Sequence, residues 1–103
     1  MDKKIVEIAR RYADKVVSRF PARMIVLYGS YAAGKGKTSS DIDIAVVVDQ
    51  APRDYLKTSA DLFSLVRGVD MRIEPVLVCR SRDKSGFLES LMKHGKVLYR
   101  SDN

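Results

Sequence analysis

The chain has 103 residues, of which 46% are apolar, enough for one compact domain over residues 1–103 and too few for two. Its single cysteine, Cys79, excludes an internal disulfide and a cysteine-based zinc site, so we expect a reducing, cytoplasmic environment. The net charge of +6 suits a polyanionic ligand or an acidic protein surface. Because the basic residues are spread along the whole chain, we do not expect direct nucleic-acid binding.

Neither a secretion signal nor a membrane segment is predicted. The first residues are charged and are not followed by a hydrophobic stretch of the kind that signal peptides contain. The longest aliphatic run, around residues 44–48, is far too short to span a bilayer. We therefore expect no membrane contact.

The first three elements follow from apolar spacing. Apolar residues at helical spacing predict a helix over residues 2–19, with Asp2 as its N-cap and Pro21 ending it. A short aliphatic run predicts a buried strand over residues 24–28. Another predicts a second strand over residues 42–48.

A second helix is predicted over residues 53–67, with Gly68 as its C′ residue, the first after the helix. Residues 71–79 read as a third strand. Pro75 inside this strand lacks a hydrogen-bond donor, so we expect an edge strand or a bulge there. The remaining elements are a helix over residues 83–94, with Ser81 or Asp83 near its cap, and a short strand over residues 97–99.

This order of elements predicts the fold class. Helices and strands are mixed along the chain, with no repeat and no linker. An α/β (α+β) fold with a small mixed sheet and helices packed on it is therefore expected.

The stretch GSYAAGKG over residues 29–36 matches the phosphate-binding loop G-x-x-x-x-G-K-[ST] as far as Lys35. Gly36 stands where that loop requires a hydroxyl, and residues 34–40 are rich in loop formers. They lead into a strand instead of a long helix. We therefore do not interpret this stretch as a P-loop.

Two aspartates offer a different interpretation. Asp41 and Asp43 are two residues apart on a strand, so their side chains point to the same face. Such carboxylates repel each other unless a cation lies between them, and oxygen ligands suit Mg²⁺ or Mn²⁺. The alternative is that Asp41 caps a turn and Asp43 is merely exposed. Gly29-Ser30 favours the metal interpretation, because a Gly-Ser turn into a helix provides backbone N–H groups and the Ser30 hydroxyl for an anion.

Glu74 is the third candidate. It lies in mid-strand among aliphatic residues, where a carboxylate without a partner is costly. Two metal ions held about 3.5–4 Å apart would need a third acid on a neighbouring strand. We interpret Glu74 as that ligand; the alternative is a salt bridge to Arg72 or another arginine.

Gly29-Ser30, ten intervening residues, Asp41-x-Asp43 and a later strand acid resemble the signature of the DNA polymerase β-like nucleotidyltransferase superfamily. The chain length resembles its minimal nucleotidyltransferases, the MNT proteins. The resemblance implies a polymerase β palm-like fold and transfer of AMP from ATP with two Mg²⁺ ions. Asp41, Asp43 and Glu74 would be the catalytic metal ligands, and Gly29 and Ser30 would bind the phosphates.

The loop departs from the family pattern at two positions. Many relatives carry arginines where this chain has Tyr31 and Ala33. Lys35 and Lys37 are candidates for the missing positive charge, so Lys35 is included among the phosphate-binding residues. Tyr31, beside the loop, is a candidate for substrate contact, whereas Tyr28 is interpreted as core.

Minimal members of the superfamily are antitoxins that place AMP on a tyrosine of HEPN-domain ribonuclease toxins. The resemblance therefore implies a hetero-oligomer with a HEPN-type toxin as protein acceptor. We also expect the acceptor surface to come from a second polypeptide, because the chain ends at Asn103 without an extra helical domain. The alternative is a catalytically weak binding module that neutralises its partner by occlusion.

Overall fold

The computed structural model describes residues 2–37, 40–83 and 85–101, and within them it confirms the mixed helix and strand order. The helices are α1 (Lys3–Val17), α2 (Gly29–Ala32), α3 (Tyr55–Ser64) and α4 (Phe87–His94), with 3₁₀ turns at Leu65–Gly68 and Arg80–Arg82. The strands are β1 (Met24–Tyr28), β2 (Ile42–Val48), β3 (Ile73–Cys79) and β4 (Lys96–Arg100). None of the described helices is long and apolar enough to cross a membrane.

The four strands form one sheet in the order β3-β2-β1-β4. β1 pairs antiparallel with β2 and β4, and β3 pairs parallel with β2. Pro75 therefore lies on an edge strand, as predicted from its missing donor. The register pairs Tyr28 with Asp43 and Asp43 with Glu74, which places one residue from each of three strands in a single row.

The core has two layers, one on each face of the sheet. Alternation along β2 sends its even-numbered aliphatic residues, with Val46 at the centre, into the layer that contains Tyr12 of α1 and Leu62 of α3. Ala45 and Val47 face the other layer, which contains Leu91 of α4. Asp43 alternates with the first set and is therefore on the α4 face.

The start of α1 is as predicted and its end is not. The Asp2 side chain accepts a hydrogen bond from the Lys4 backbone N–H at 2.9 Å, so Asp2 is the N-cap. The helix ends at Val17, before Pro21 can constrain it. Ser18 takes the C-cap position instead, and its hydroxyl donates to the Lys15 carbonyl at 2.7 Å.

The prediction for Gly68 is wrong. α3 gives way to a 3₁₀ turn at Leu65, and Gly68 lies inside that turn. Among the described glycines, positive φ occurs at positions 29, 34 and 86, so Gly68 is not a left-handed cap. A Cβ at Gly68 would meet only the flexible end of the Lys15 side chain, 2.3 Å from Nζ, so packing does not require glycine here.

The last helix begins later than predicted. α4 starts at Phe87, after Gly86 in a left-handed conformation. Asp83 still bonds to the first turn, because its carboxylate accepts from the Leu88 backbone N–H at 3.3 Å. Lys84, inside the predicted helix, lies outside the described residues.

Candidate active site

A row of polar side chains crosses three strands on the α4 face of the sheet. Asp43 is the direct neighbour of Tyr28 on one side and of Glu74 on the other. Partial burial, followed by the carboxylates of Asp41 and Glu74, raises the pKa of Asp43. The sequence-predicted acids are thus electrostatically coupled. Holding them ionised together is unfavourable without a compensating cation.

Tyr28, interpreted from the sequence as core, packs against the core layer on the α4 face and also borders the carboxylate row. Tyr28 is paired with Asp43 across β1 and β2, and burial, followed by the carboxylates of Asp43 and Glu74, raises the pKa of its hydroxyl. Its ring contacts Phe87 of α4 edge to face, with centroids 5.5 Å apart. The alternation of side chains along β1 could have indicated this face, but only once the pairing of β1 with β2 was known.

The three acids are close in register without being gathered around one point. Asp41 is exposed immediately before β2, and Glu74 is exposed on the edge strand. Among residues 2–37, 40–83 and 85–101, no three His, Cys, Asp or Glu side chains are positioned to hold a metal ion together. The all-oxygen donor set of Asp41, Asp43 and Glu74 does fit the chemistry of Mg²⁺.

The Gly-Ser turn lies directly against this row. Gly29 has φ +75°, a conformation that side chains disfavour. A Cβ at Gly29 would lie 2.2 Å from Asp43 Oδ2, so the absence of a side chain lets the turn approach the carboxylate. Ser30 follows as an exposed residue in the first turn of α2, where helix N–H groups lack intrahelical partners.

The loop after α2 is tied back to this turn. The backbone N–H of Lys35 donates to the Ser30 carbonyl at 2.8 Å, and the Lys35 side chain is exposed. α2 has only four residues and does not continue as a long helix, consistent with rejecting a P-loop. Thr38 and Ser39, which precede the strand, lie outside the described residues.

Tyr31 is buried beneath the loop and supports it. It is 6% exposed, and its hydroxyl donates to the Lys37 carbonyl. Gly36 passes so close that a Cβ there would meet the Tyr31 ring at 2.2 Å. Tyr31 was expected beside the loop as a candidate for substrate contact; the structure places its ring under the loop, where it fills the space below Gly36.

Arg72, the residue immediately before β3, contacts Tyr31 beneath the same loop. Its guanidinium forms an ion pair with Asp70 at 2.8 Å, and this hydrogen bonding lowers the pKa of Asp70. A longer contact of 3.5 Å joins Arg72 to the Tyr31 hydroxyl. No described residue forms an ion pair with Glu74, so the alternative of an Arg72–Glu74 salt bridge is not what the structure contains.

A cleft of about 420 Å³ opens beside the Gly-Ser turn, between α2 and α4. Tyr28, Gly29 and Phe87 contribute one part of its wall, and Lys93 and His94 of the last turn of α4 contribute another. Its volume is within the range of small-ligand sites. The cleft therefore provides concave space at the end of the carboxylate row.

Known proteins resemble this chain in sequence and in fold. The family model described as "Polymerase beta, Nucleotidyltransferase" matches residues 3–103. A protein of Methanocaldococcus jannaschii named "Putative protein adenylyltransferase" is 42% identical over 53 residues, which are 52% of this chain. The match spans 60% of that relative, less than two thirds of its length.

Solved structures share the fold. A Sulfolobus solfataricus protein described as a putative nucleotidyltransferase has a TM-score of 0.69 at 18% identity, covering 97% of this chain and 84% of that one. A toxin–antitoxin structure with AMP-PNP has a TM-score of 0.66 at 26% identity, covering 90% and 74%. The tri-AMPylated Shewanella oneidensis HEPN toxin with its MNT antitoxin has a TM-score of 0.62 at 23% identity, covering 93% and 73%.

Proposed function

The chain belongs to the polymerase β nucleotidyltransferase family, and on that premise we propose that it transfers AMP from ATP to a tyrosine hydroxyl of a HEPN-type toxin. The observation that carries the proposal is the close approach of Gly29 to Asp43, since it joins the Gly-Ser turn to the carboxylate row. The relative named as a protein adenylyltransferase and the toxin–antitoxin neighbour with AMP-PNP support this choice of donor and acceptor.

Asp41, Asp43 and Glu74 would hold Mg²⁺. The chemistry that Mg²⁺ supplies when bound is neutralisation of the triphosphate and a lower pKa for the attacking hydroxyl. Burial, followed by the carboxylates of Asp41 and Glu74, raises the pKa of Asp43, and a bound cation would relieve the repulsion among these carboxylates. We propose that two Mg²⁺ ions bind, because the resemblance to the superfamily implies two.

The side chains of this chain bind the substrates and move one proton. Ser30 and the amides of the Gly-Ser turn hold the phosphates, with Lys35 as an additional cation on the tied loop. The acceptor oxygen bonds to the α-phosphorus, the bond from that phosphorus to the β-phosphate bridge breaks, and pyrophosphate leaves. The hydroxyl proton passes to a Glu74 carboxylate oxygen, which is exposed at the sheet edge. Tyrosine suits this step because its hydroxyl, with a pKa of about 10, ionises more readily than a serine hydroxyl.

A second function has one observation in its favour. Tyr31 and Ala33 occupy places where many relatives carry arginines, and Tyr31 is buried beneath the loop. A protein with too little positive charge at the phosphates would catalyse poorly and could still neutralise its partner by occlusion.

Intact-mass spectrometry of the co-expressed toxin separates the two functions. Incubation with ATP and Mg²⁺ should add one or more AMP units to the toxin, and EDTA should prevent the gain. Asp41→Asn with Asp43→Asn should prevent it as well. A toxin that stays unmodified, yet remains inhibited by both the wild type and the double variant, would establish occlusion instead.

Replacing Ser30 by alanine should weaken ATP binding without affecting the fold. Ser30 is exposed, so its removal leaves no cavity, whereas a hydrogen bond to a charged phosphate contributes about 1.5–3 kcal/mol. Calorimetry with Mg·ATP should therefore show a dissociation constant raised by about 10- to 100-fold. Ser64→Ala, at an exposed hydroxyl of α3, is the matched control and should bind ATP normally. An unfolded Ser30→Ala variant would show that Ser30 is a structural residue.

A further inference from the structure

The cleft beside the Gly-Ser turn carries basic side chains on one of its two walls. The α2 wall, which includes Gly29 and Ala33, contributes no charged side chain. The α4 wall contributes Lys93 and His94, which are the basic residues in the described lining of the cleft. Lys35 is exposed on the loop after α2 and does not line the cleft. Positive charge inside the cleft therefore comes from α4.

The end of α4 is held close to the Gly-Ser turn. The backbone N–H of Gly95 donates to the Leu91 carbonyl at 2.9 Å and ends the helix. A Cβ at Gly95 would lie 2.4 Å from Val26 Cγ1 and 3.0 Å from the Leu27 carbonyl oxygen, so glycine lets the helix end approach β1. β1 leads directly into Gly29. The last turn of α4 and the Gly-Ser turn therefore lie at the same end of the sheet.

One face of α4 lines the cleft along its whole length. Phe87, Ser90, Leu91 and His94 line the cleft at intervals of three, one and three residues, which is the spacing of a single helix face. Lys93 is next to this face and lines the cleft as well. The side chains of Lys93 and His94 are both exposed, so a ligand in the cleft can reach them.

No acid of the described chain neutralises these two side chains. Glu89 lies four residues before Lys93 on α4, yet neither Lys93 nor His94 forms an ion pair with any residue that the structure describes. The described lining of the cleft contains no Asp or Glu. The Asp43 carboxylate lies against Gly29, and it belongs to the proposed Mg²⁺ site. Both basic side chains can therefore bind an anion.

The proposed reaction requires more positive charge than its metal ions supply. Three carboxylates and the triphosphate of ATP together carry more negative charge than two Mg²⁺ ions neutralise, and the excess favours further cations nearby. A lysine binds phosphate as a point charge. An imidazole has at least one N–H to donate to a phosphate oxygen, whether it is neutral or protonated.

We propose that Lys93 and His94 bind the triphosphate of ATP from the α4 wall and so provide the positive charge that α2 lacks. The choice of ATP as the ligand rests on the proposed function. The choice of these two residues rests on the lining of the cleft, the position of the end of α4 and the charges of the described residues around it.

Calorimetry with Mg·ATP tests the proposal. Lys93→Ala should raise the dissociation constant about tenfold, and His94→Ala should raise it about threefold. Lys4→Ala is the matched control, because it removes the same charge from an exposed position on α1, which packs on the other face of the sheet. The control should bind Mg·ATP as the wild type does. Wild-type affinity in Lys93→Ala would overturn the proposal.

A rescue experiment separates charge in the cleft from an effect on the fold. Ala33 is exposed and lines the cleft from α2, so Ala33→Arg returns a cation to the same space from the other wall. Combined with Lys93→Ala, it should restore most of the lost affinity for Mg·ATP, whereas a loss caused by altered folding would persist. A combined variant that binds no better than Lys93→Ala alone would contradict the proposed role of Lys93.

Inorganic tripolyphosphate shows which part of ATP is bound. With Mg²⁺ it should displace ATP from the wild type, and Lys93→Ala should weaken its binding about tenfold, as for Mg·ATP. A variant that loses affinity for Mg·ATP and keeps its affinity for tripolyphosphate would place Lys93 beside the nucleoside and overturn the proposal.

Failure of this proposal differs from failure of the proposed function. A wild-type protein that binds Mg·ATP through Lys93, yet adds no AMP to the toxin, contradicts the function and supports the role of Lys93. A Lys93→Ala variant that binds Mg·ATP and modifies the toxin as the wild type does contradicts the role of Lys93 and leaves the function standing.

Discussion

Asp43→Asn is expected to abolish AMP transfer and, at the same time, to make the protein more stable at neutral pH. Activity should fall by about 10³-fold or more, as for other residues at the centre of a catalytic unit. Stability should rise because burial and the carboxylates of Asp41 and Glu74 disfavour the ionised Asp43, and asparagine carries no charge. Solvent screening keeps the gain small, about 0.5 kcal/mol, or roughly 2–4 °C in melting temperature.

The difference in stability between Asp43→Asn and wild type should depend on pH, with a definite sign. The pKa of Asp43 is raised on folding, so the wild-type penalty is present above its folded pKa. The penalty disappears as the pH falls through that value towards the ordinary aspartate pKa of about 3.9. Thermal unfolding of both proteins between pH 4 and neutrality measures it, and a variant that is less stable than wild type at neutral pH would contradict the assignment.

Asp70→Asn is the matched control with the opposite sign. Hydrogen bonding to Arg72 lowers the pKa of Asp70, so its contribution to stability is present above the unfolded pKa and is lost as the pH falls through the folded pKa. This variant should therefore be less stable than wild type at neutral pH. The two aspartates together test whether repulsion or pairing dominates at each position.

Gly29→Ala is expected to remove AMP transfer through geometry alone. Its φ of +75° costs a side chain about 1–2 kcal/mol. In addition, the new Cβ would lie 2.2 Å from Asp43 Oδ2, so the carboxylate or the turn must move. Displacement of a reacting group by about 1 Å is enough to lower the rate on the order of 10²-fold.

Gly34→Ala is the control that separates the contact with Asp43 from the backbone strain of a positive φ. Gly34 has nearly the same φ, +74°, and no described residue lies within 4 Å of a Cβ placed there. Both variants should lose similar stability, because the positive φ strains an alanine equally at the two positions. The large loss of AMP transfer should be confined to Gly29→Ala. Equal transfer rates, measured on the toxin by intact mass, would show that the approach of Gly29 to Asp43 is not needed.

Local patterns in the sequence were sufficient to predict several features. β1 and β2 have the predicted bounds, because short aliphatic runs beside glycine or proline have few other conformations available. The Asp2 cap and the edge position of Pro75 follow from the hydrogen bonds that those residues can or cannot make. Alternation along one strand also predicted a shared face for Asp41 and Asp43; in the structure Asp41 lies just before β2, which begins at Ile42, and its carboxylate is near enough to contribute to the raised pKa of Asp43.

Strand pairing determined the composition of the candidate site. Tyr28 lies beside Asp43 because β1 and β2 are antiparallel in one particular register, and a shift of one residue would send its side chain to the other face. Likewise, Arg72 pairs with Asp70 and not with Glu74, which leaves Glu74 exposed beside Asp43.

The exposure of α3 was also decided by tertiary structure. Leu56 and Phe63 contribute to an apolar pattern that predicts a helix, yet the sheet accepts only the side of α3 that carries Leu62. Periodicity along a chain identifies which residues share a face. Which face is buried depends on contacts between residues far apart in sequence, so the sequence by itself determined the elements and the candidate acids, and the tertiary structure decided which side chains meet.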